Sequence, residues 1–277
     1  MLAEMRSLVL VAFTLAATIA YADPAWTPSS FGVEVAGSGR PVILIPGLGC
    51  PGDVWDQTVR HLHAEAHVLT LAGFAGRAPI ATPLLATVRT ELARYIREHH
   101  LDHPVVIGHS LGGMIAIALA EDEPGLVGPT IVVDASPVFE PDATPRARAI
   151  DAAAQRDQLL AASDAERVRQ IRAMFATMTN DPRRLAPIVD EVVRSDRASF
   201  AAALYDVIVA DFRPGLARIR APVLFVLSET SPRGATERAI AAIPRHRLRV
   251  VPNTRHFVMI DDPAGFFAAI DPFLAAP

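Results

Sequence analysis

Seven short runs of β-branched and aliphatic residues, separated by stretches with helical apolar spacing, constrain this chain more than any other feature of its sequence. The runs cover residues 33–35, 42–45, 68–71, 105–107, 131–133, 223–227 and 248–251. Several are apolar on consecutive positions, the pattern of strands covered by helices on both faces. Between them, residues 84–99 carry Leu85, Val88, Leu92, Tyr95 and Ile96 at helical spacing, and 114–121 and 266–273 read the same way. The alternation predicts an α/β protein, a mostly parallel twisted sheet flanked by helices.

The alternation stops at Pro137 and resumes near Pro222. The stretch between is rich in Ala, Arg and Asp, has helical periodicity and lacks a strand signal. It reads as an inserted helical cap, residues 137–220, which Pro141, Pro145, Pro182, Pro187 and Pro214 divide into about four short helices. The core is then residues 23–136 and 221–277.

A chain of 277 residues that is 51% hydrophobic and 20% charged can bury a large core, which excludes intrinsic disorder. A net charge of −4 leaves no basic reservoir for a phosphate backbone, so nucleic acid is excluded as a partner. All 26 cationic residues are arginine. Without a lysine, Schiff-base chemistry, pyridoxal phosphate attachment and a P-loop are ruled out.

Residues 1–22 read as a signal peptide: Arg6, an apolar run over 8–20, then Ala20-Tyr21-Ala22 as a small-x-small cleavage site. That run is shorter than the roughly 20 residues a bilayer span requires. Cleavage is expected after Ala22, giving an exported, periplasmic or secreted protein with no membrane span after cleavage. Cys50 is the only cysteine, so an oxidising compartment adds no internal disulfide.

The sharpest chemical signal is Gly108-His109-Ser110-Leu111-Gly112, a GxSxG pentapeptide between the run 105–107 and the helix of 114–121. A tight strand-to-helix turn lifts the serine hydroxyl above the sheet, and glycines at 108 and 112 remove side chains that would strike neighbouring backbone. The start of the helix offers the amide of Leu111 to a developing negative charge.

With this motif the sequence resembles the α/β-hydrolase family of serine hydrolases, over nearly the whole mature chain. Residues 43–55, ILIPGLGCPGDVW, look like the family's strand and oxyanion loop, with Pro46-Gly47 where a His-Gly pair is usual. The resemblance makes the N–H of Leu48 the second oxyanion donor. Cys50, beside this loop, reads as a small buried hydrophobe and not as a nucleophile. Residues 253–263, NTRHFVMIDDP, resemble the family's catalytic histidine loop, which implies His256 as general base. Of the other histidines, His61, His63 and His67 sit around a helix end and His99, His100 and His103 precede a strand; most read as solvated. No metal is expected, because His61, His63 and His67 match no ligand spacing such as HExxH.

The triad acid departs from the family pattern. Counting from Pro222, its usual place holds Ser231, and a serine cannot stabilise an imidazolium as a carboxylate does. Family members that place the acid one strand earlier point to Asp134, directly after the run 131–133. Glu229, on the loop of the usual acid, is the alternative; Asp261, Asp262 or a dyad without an acid complete the options.

The resemblance implies a serine hydrolase cleaving carboxylic esters of small to medium acyl chain through an acyl-enzyme on Ser110, with a small-molecule ester as substrate and no cofactor. A serine at the elbow argues against dehalogenase and epoxide hydrolase chemistry, which on this fold resembles cases with Asp there. An aminopeptidase or a carbon–carbon bond hydrolase uses the same triad, and Glu166, Asp181, Asp190 and Glu191 of the cap are candidates to hold a substrate amine. A non-catalytic ligand-binding member of the fold is the alternative from another class. Candidate pocket residues in the cap are Phe139, Met174, Phe175, Met178, Phe200 and Leu204.

Overall fold

A computed structural model of the protein describes residues 26–81 and 83–275, and within them seven strands form a single sheet. The expected signal peptide, residues 1–22, lies outside the described residues. The strands are β1 (Phe31–Ala36), β2 (Pro41–Ile45), β3 (Glu65–Leu71), β4 (Val105–His109), β5 (Thr130–Val133), β6 (Val223–Ser228) and β7 (His246–Val251). Their order is β1-β3-β2-β4-β5-β6-β7; β1 runs antiparallel to β3, and every other neighbouring pair is parallel. Each run of the sequence therefore falls on one strand.

The helices are α1 (Asp56–His61), α2 (Leu84–Glu98), α3 (Leu111–Asp122), α4 (Pro145–Ala161), α5 (Asp164–Ala176), α6 (Pro182–Val192), α7 (Arg197–Val209), α8 (Arg233–Ile240), α9 (Val258–Asp261) and α10 (Pro263–Leu274). The consecutive apolar positions are explained by two cores, one on each face of the sheet. Ile43, Ile45 and Val106 pack with α2 and α3, while Val42, Leu44, Val105 and Ile107 pack with α10 and with Phe175 and Val192 of the inserted helices. Central strands thus bury both of their faces. α3 is buried on every side from Leu111 to Ala120, as expected of an apolar helix segment lying between a sheet and other helices. Among the described residues no helix is long and apolar enough to cross a membrane.

Helices α4–α7 all lie between β5 and β6. Pro145 and Pro182 open α4 and α6, but two boundaries differ from the reading by proline. Pro187 sits inside α6, where the carbonyl it leaves unpaired, that of Arg183, belongs to the exposed first turn. The break between α4 and α5 is made instead by a capping box, Ser163 with Glu166.

The inserted helices are closed on themselves at one place and anchored to the core at another, besides the histidine loop described below. Where the chain leaves and returns, Phe212 N donates to Pro137 O at 2.9 Å, and the buried Arg148 guanidinium reaches Glu140 O, Ala143 O and Asp211 Oδ2 at 3.3, 3.0 and 3.2 Å. The turn before α7 sits on the loops after β2 and β3, with Asp196 N donating to Gly73 O at 2.7 Å and Ala75 N to Ser195 Oγ at 3.1 Å. Gly49, at φ +73°, is pressed by α6 and α7 there: a Cβ would come within 2.7 Å of the Phe200 ring.

Candidate active site

β4 ends at His109 and α3 begins at Leu111, so the reversal falls on Ser110, whose φ of 53° and ψ of −118° are strained for a residue with a side chain. The turn is possible only between glycines. A Cβ on Gly108 would lie 2.1 Å from Gly112 O, and one on Gly112 would lie 2.2 Å from Ile45 O. The sheet ladder holds the turn, since Ser110 N donates to Val133 O at 2.9 Å. Leu111 supplies the first amide of α3, which has no carbonyl one turn back to bond. Leu48 lies in the turn closed by Cys50 N to Gly47 O at 3.1 Å, and Gly47 packs against Ser110.

At the end of the next strand, Asp134 takes φ 47° and its amide donates to Val226 O at 2.8 Å. Its Oδ1 accepts from Ser228 N at 2.7 Å and from the Ser231 hydroxyl at 2.5 Å, and its Oδ2 from His256 Nδ1 at 2.8 Å. Burial pushes the Asp134 carboxyl up, but the bonds from His256, Ser228 and Ser231 outweigh it and hold the group below its usual value of 3.8. An ionised Asp134 fixes the proton of His256 on Nδ1 and leaves Nε2 as the basic atom. Ser231, where the sequence resemblance expected an acid, donates to the Asp134 carboxylate instead.

Glu229 is elsewhere: it is exposed, and its carboxylate accepts from Asn253 N at 3.0 Å. Asp262 caps α10 by accepting from Gly265 N at 3.0 Å. Asp261 accepts from Arg255 N at 2.8 Å and from Thr179 and Asn180 between α5 and α6. None of these three carboxylates is bonded to His256.

His109 is a site residue that sequence reasoning missed. It is 1% exposed, its Nε2–H donates to His256 O at 2.9 Å, and its ring lies 4.6 Å from that of His256 and 4.8 Å from that of Phe257. Its Nδ1 is buried without a partner, beside Gly47. Burial, reinforced by the neighbouring His256, lowers its pKa to about 3, so the ring is neutral. Strand alternation was the available signal, because residue 109 shares a face with the buried Ile107.

His67 is an exception to the reading of most of these histidines as solvated. It is 3% exposed and bonded to Tyr95 Oη at 2.8 Å and Glu65 at 2.9 Å, and burial lowers its pKa. His61 instead bonds Asp271 and stacks on Phe267. Among the described residues no group of three or more His, Cys, Asp or Glu is placed to hold a metal ion. The Cys50 thiol is fully buried, which pushes its pKa up to about 12 and leaves no thiolate at neutral pH.

Ser110, Asp134 and His256 share the wall of one cavity of ≈ 190 Å³ with Met114, Leu227 and Phe139. Leu48 and Leu111 do not form part of that wall. Of the six apolar candidates from the inserted segment, Phe139 alone lines the cavity, joined by Val207. Met174, Phe200 and Leu204 line a separate groove between α4, α5 and α7, and Phe175 and Met178 pack into the core beneath. The acidic candidates are engaged elsewhere: Glu166 in the capping box, Asp181 with Arg183, Asp190 with Arg172 and Glu191 with Arg194. A larger surface cavity of ≈ 260 Å³ between α2 and α3 is walled by the paired charges of Arg89, Asp122, Arg97 and Glu123 and holds no nucleophile.

The chain belongs to the alpha/beta hydrolase family, whose model matches residues 42–270. It is 27% identical over 197 residues to the pimeloyl-[acyl-carrier protein] methyl ester esterase of Vibrio cholerae, a match covering 69% of this chain and 76% of the relative. It is similar in structure to an esterase from Exiguobacterium antarcticum, with a TM-score of 0.78 and 17% identity, covering 89% of this chain and 96% of that one. A hydrolase from Pseudomonas aeruginosa gives a TM-score of 0.74 at 22% identity, covering 89% and 94%. At such identities the structural likeness establishes the fold. The family and the esterase relative together support an ester-hydrolysing enzyme.

Proposed function

We propose that the protein is a serine hydrolase that cleaves small, uncharged carboxylic esters through an acyl-enzyme on Ser110. His256 Nε2 takes the Ser110 proton as Oγ attacks the ester carbonyl, and Asp134, remaining ionised, stabilises the imidazolium. The amides of Leu48, in the turn whose Gly47 packs against Ser110, and of Leu111, at the start of α3, receive the oxyanion, each worth roughly 3 kcal/mol in the transition state. The imidazolium returns its proton to the leaving alcohol, and water, activated by the same histidine, releases the acid. The observation that carries this reading is the 2.8 Å contact between Asp134 and His256 beside a strained Ser110.

The cavity supports the substrate class. Its ≈ 190 Å³ is below the roughly 300 Å³ at which pockets for larger ligands begin, and its wall contains no arginine to bind an anionic group. Its one carboxylate, Asp134, is already committed, so an amine has no partner there and an ester is favoured over an aminopeptidase substrate. The helices of residues 137–220 contribute Phe139 and Val207 to this wall and act as a cap over the site.

Hydrolysis of p-nitrophenyl esters from acetate to decanoate, with Ser110→Ala alongside, tests the proposal. Turnover greatest for short chains and abolished by the substitution is expected. A folded wild type without turnover on any of these esters would overturn the reading in favour of a ligand-binding role.

A further inference from the structure

We propose that Asp261 is a positioning residue through which the cap sets the alignment of His256. The inference rests on the serine-hydrolase reading for its kinetic consequence, but not for its structural content.

Asp261 is a second carboxylate in the histidine loop, and the triad does not use it. It closes α9, where its amide donates to Phe257 O at 2.9 Å, and its side chain turns back so that Oδ2 accepts from Arg255 N at 2.8 Å. Residues 255–261 thus form a closed loop with His256 inside it. The other oxygen, Oδ1, accepts from the Thr179 hydroxyl at 2.5 Å and from Asn180 N at 3.0 Å, both in the cap turn between α5 and α6. Hydrogen bonds to an ionised acceptor are the stronger kind, and this carboxylate accepts three.

The same turn holds the backbone on both sides of His256. Phe257 N donates to Met178 O at 3.2 Å, the Arg255 guanidinium reaches Thr177 O at 3.0 Å, and Asn180 Nδ2 donates to Asn253 O at 2.6 Å. On the sheet side, His109 Nε2 donates to the carbonyl of residue 256, Asn253 N donates to Glu229, and Phe257 and Val258 pack into the core. The His256 ring reaches Asp134 from a segment held between these contacts and the cap. Displacement of the turn at 177–180 would therefore alter the aim of His256 with no group in the cavity touched. Thr179 is 4% exposed, so its bond to Asp261 is shielded from competing water.

The test combines Thr179→Val and Asp261→Asn, singly and together, with NMR of the His256 imidazole and steady-state ester kinetics on the full-length mature protein. Thr179→Val is nearly isosteric and remote from the cavity. It is expected to move the His256 resonances and to lower kcat about tenfold at unchanged KM, a coupling of the size carried through packed contacts. In the Asp261→Asn background the same substitution should add little, since both act through one carboxylate. Unchanged His256 resonances in Thr179→Val, or an effect that persists at full size in Asp261→Asn, would overturn the proposal. Moved resonances in a protein that lacks esterase activity would leave the coupling standing and remove the serine-hydrolase reading instead.

Discussion

The carboxyl end of the sheet and the cap between β5 and β6 are held by different forces. At the sheet end, Ser110 and Asp134 each hang by a backbone amide on a neighbouring strand, and those strands are buried on both faces. In the cap, α4 buries only Arg148 and Ala152 and leaves Ile150 63% and Leu160 43% exposed. The cap packs apolar residues, among them Phe175, Leu185, Val192 and Phe200, onto the sheet, while separate polar contacts fix its ends and turns, Arg148 within the cap and Ser195 and Asp261 against the core. One region fixes reacting groups through a cooperative ladder that a single side chain cannot loosen, whereas in the other a few polar side chains set where the turns sit, and each is a point of control.

The largest expected effect lies at the sheet end. Asp134→Asn should lower kcat by on the order of 10⁴, since an amide cannot stabilise the imidazolium or fix its tautomer. Glu229→Gln, which changes a bond to Asn253 only, should alter kcat by less than about threefold. Steady-state kinetics on one ester separates the two, and the reverse ranking would dissolve the contrast between the regions.

A smaller effect is expected in the cap. Arg148→Met strands the carbonyls of Glu140 and Ala143 and removes one of the two arginines on Asp211, so urea unfolding should show a loss of about 2 kcal/mol. The kcat of the remaining folded protein should stay within about threefold. An equal loss of kcat and stability would mean that all the anchors bear on the chemistry, not Asp261 alone.

The smallest effect, taken per pH unit, concerns pH. Between about pH 6.5 and 3 the unfolded chain binds a proton at His109 that the folded protein, with this pKa lowered to about 3, refuses. Stability should fall with acid over that window by up to about 1.4 kcal/mol per pH unit from this residue. The lowered pKa of Asp134 acts in the same direction below its ordinary value of 3.8. His109→Gln should flatten the upper part of the slope in urea titrations; an unchanged slope would show that His109 is not the group responsible.

These contrasts also explain what the sequence made legible. The central strands β2, β4, β5 and β6 were readable because burial on both faces leaves few polar positions to blur them, and Ser110 because the tight turn demands glycines at 108 and 112. Asp134 could be named from its place after β5, and His256 from its loop, yet the two other donors to Asp134 could not, since Ser228 and Ser231 converge on it from a segment about 100 residues away. His109 was obscured by standing inside a motif in which the serine draws attention. The cap was the least legible. α4, α5 and α7 carry weak apolar stripes, so prolines stood in for boundaries, and the residues reaching the cavity, Phe139 and Val207, are set by tertiary packing that periodicity does not encode.

The central claim is that Ser110 carries the acyl group, and mass spectrometry tests it most directly. Wild-type protein is quenched in acid during turnover of p-nitrophenyl butyrate and digested, with Ser110→Ala treated in parallel. The account predicts a butyryl adduct on the peptide containing Ser110, absent from the variant. Turnover by the wild type with no adduct on that peptide, or with the adduct on another residue, would contradict it.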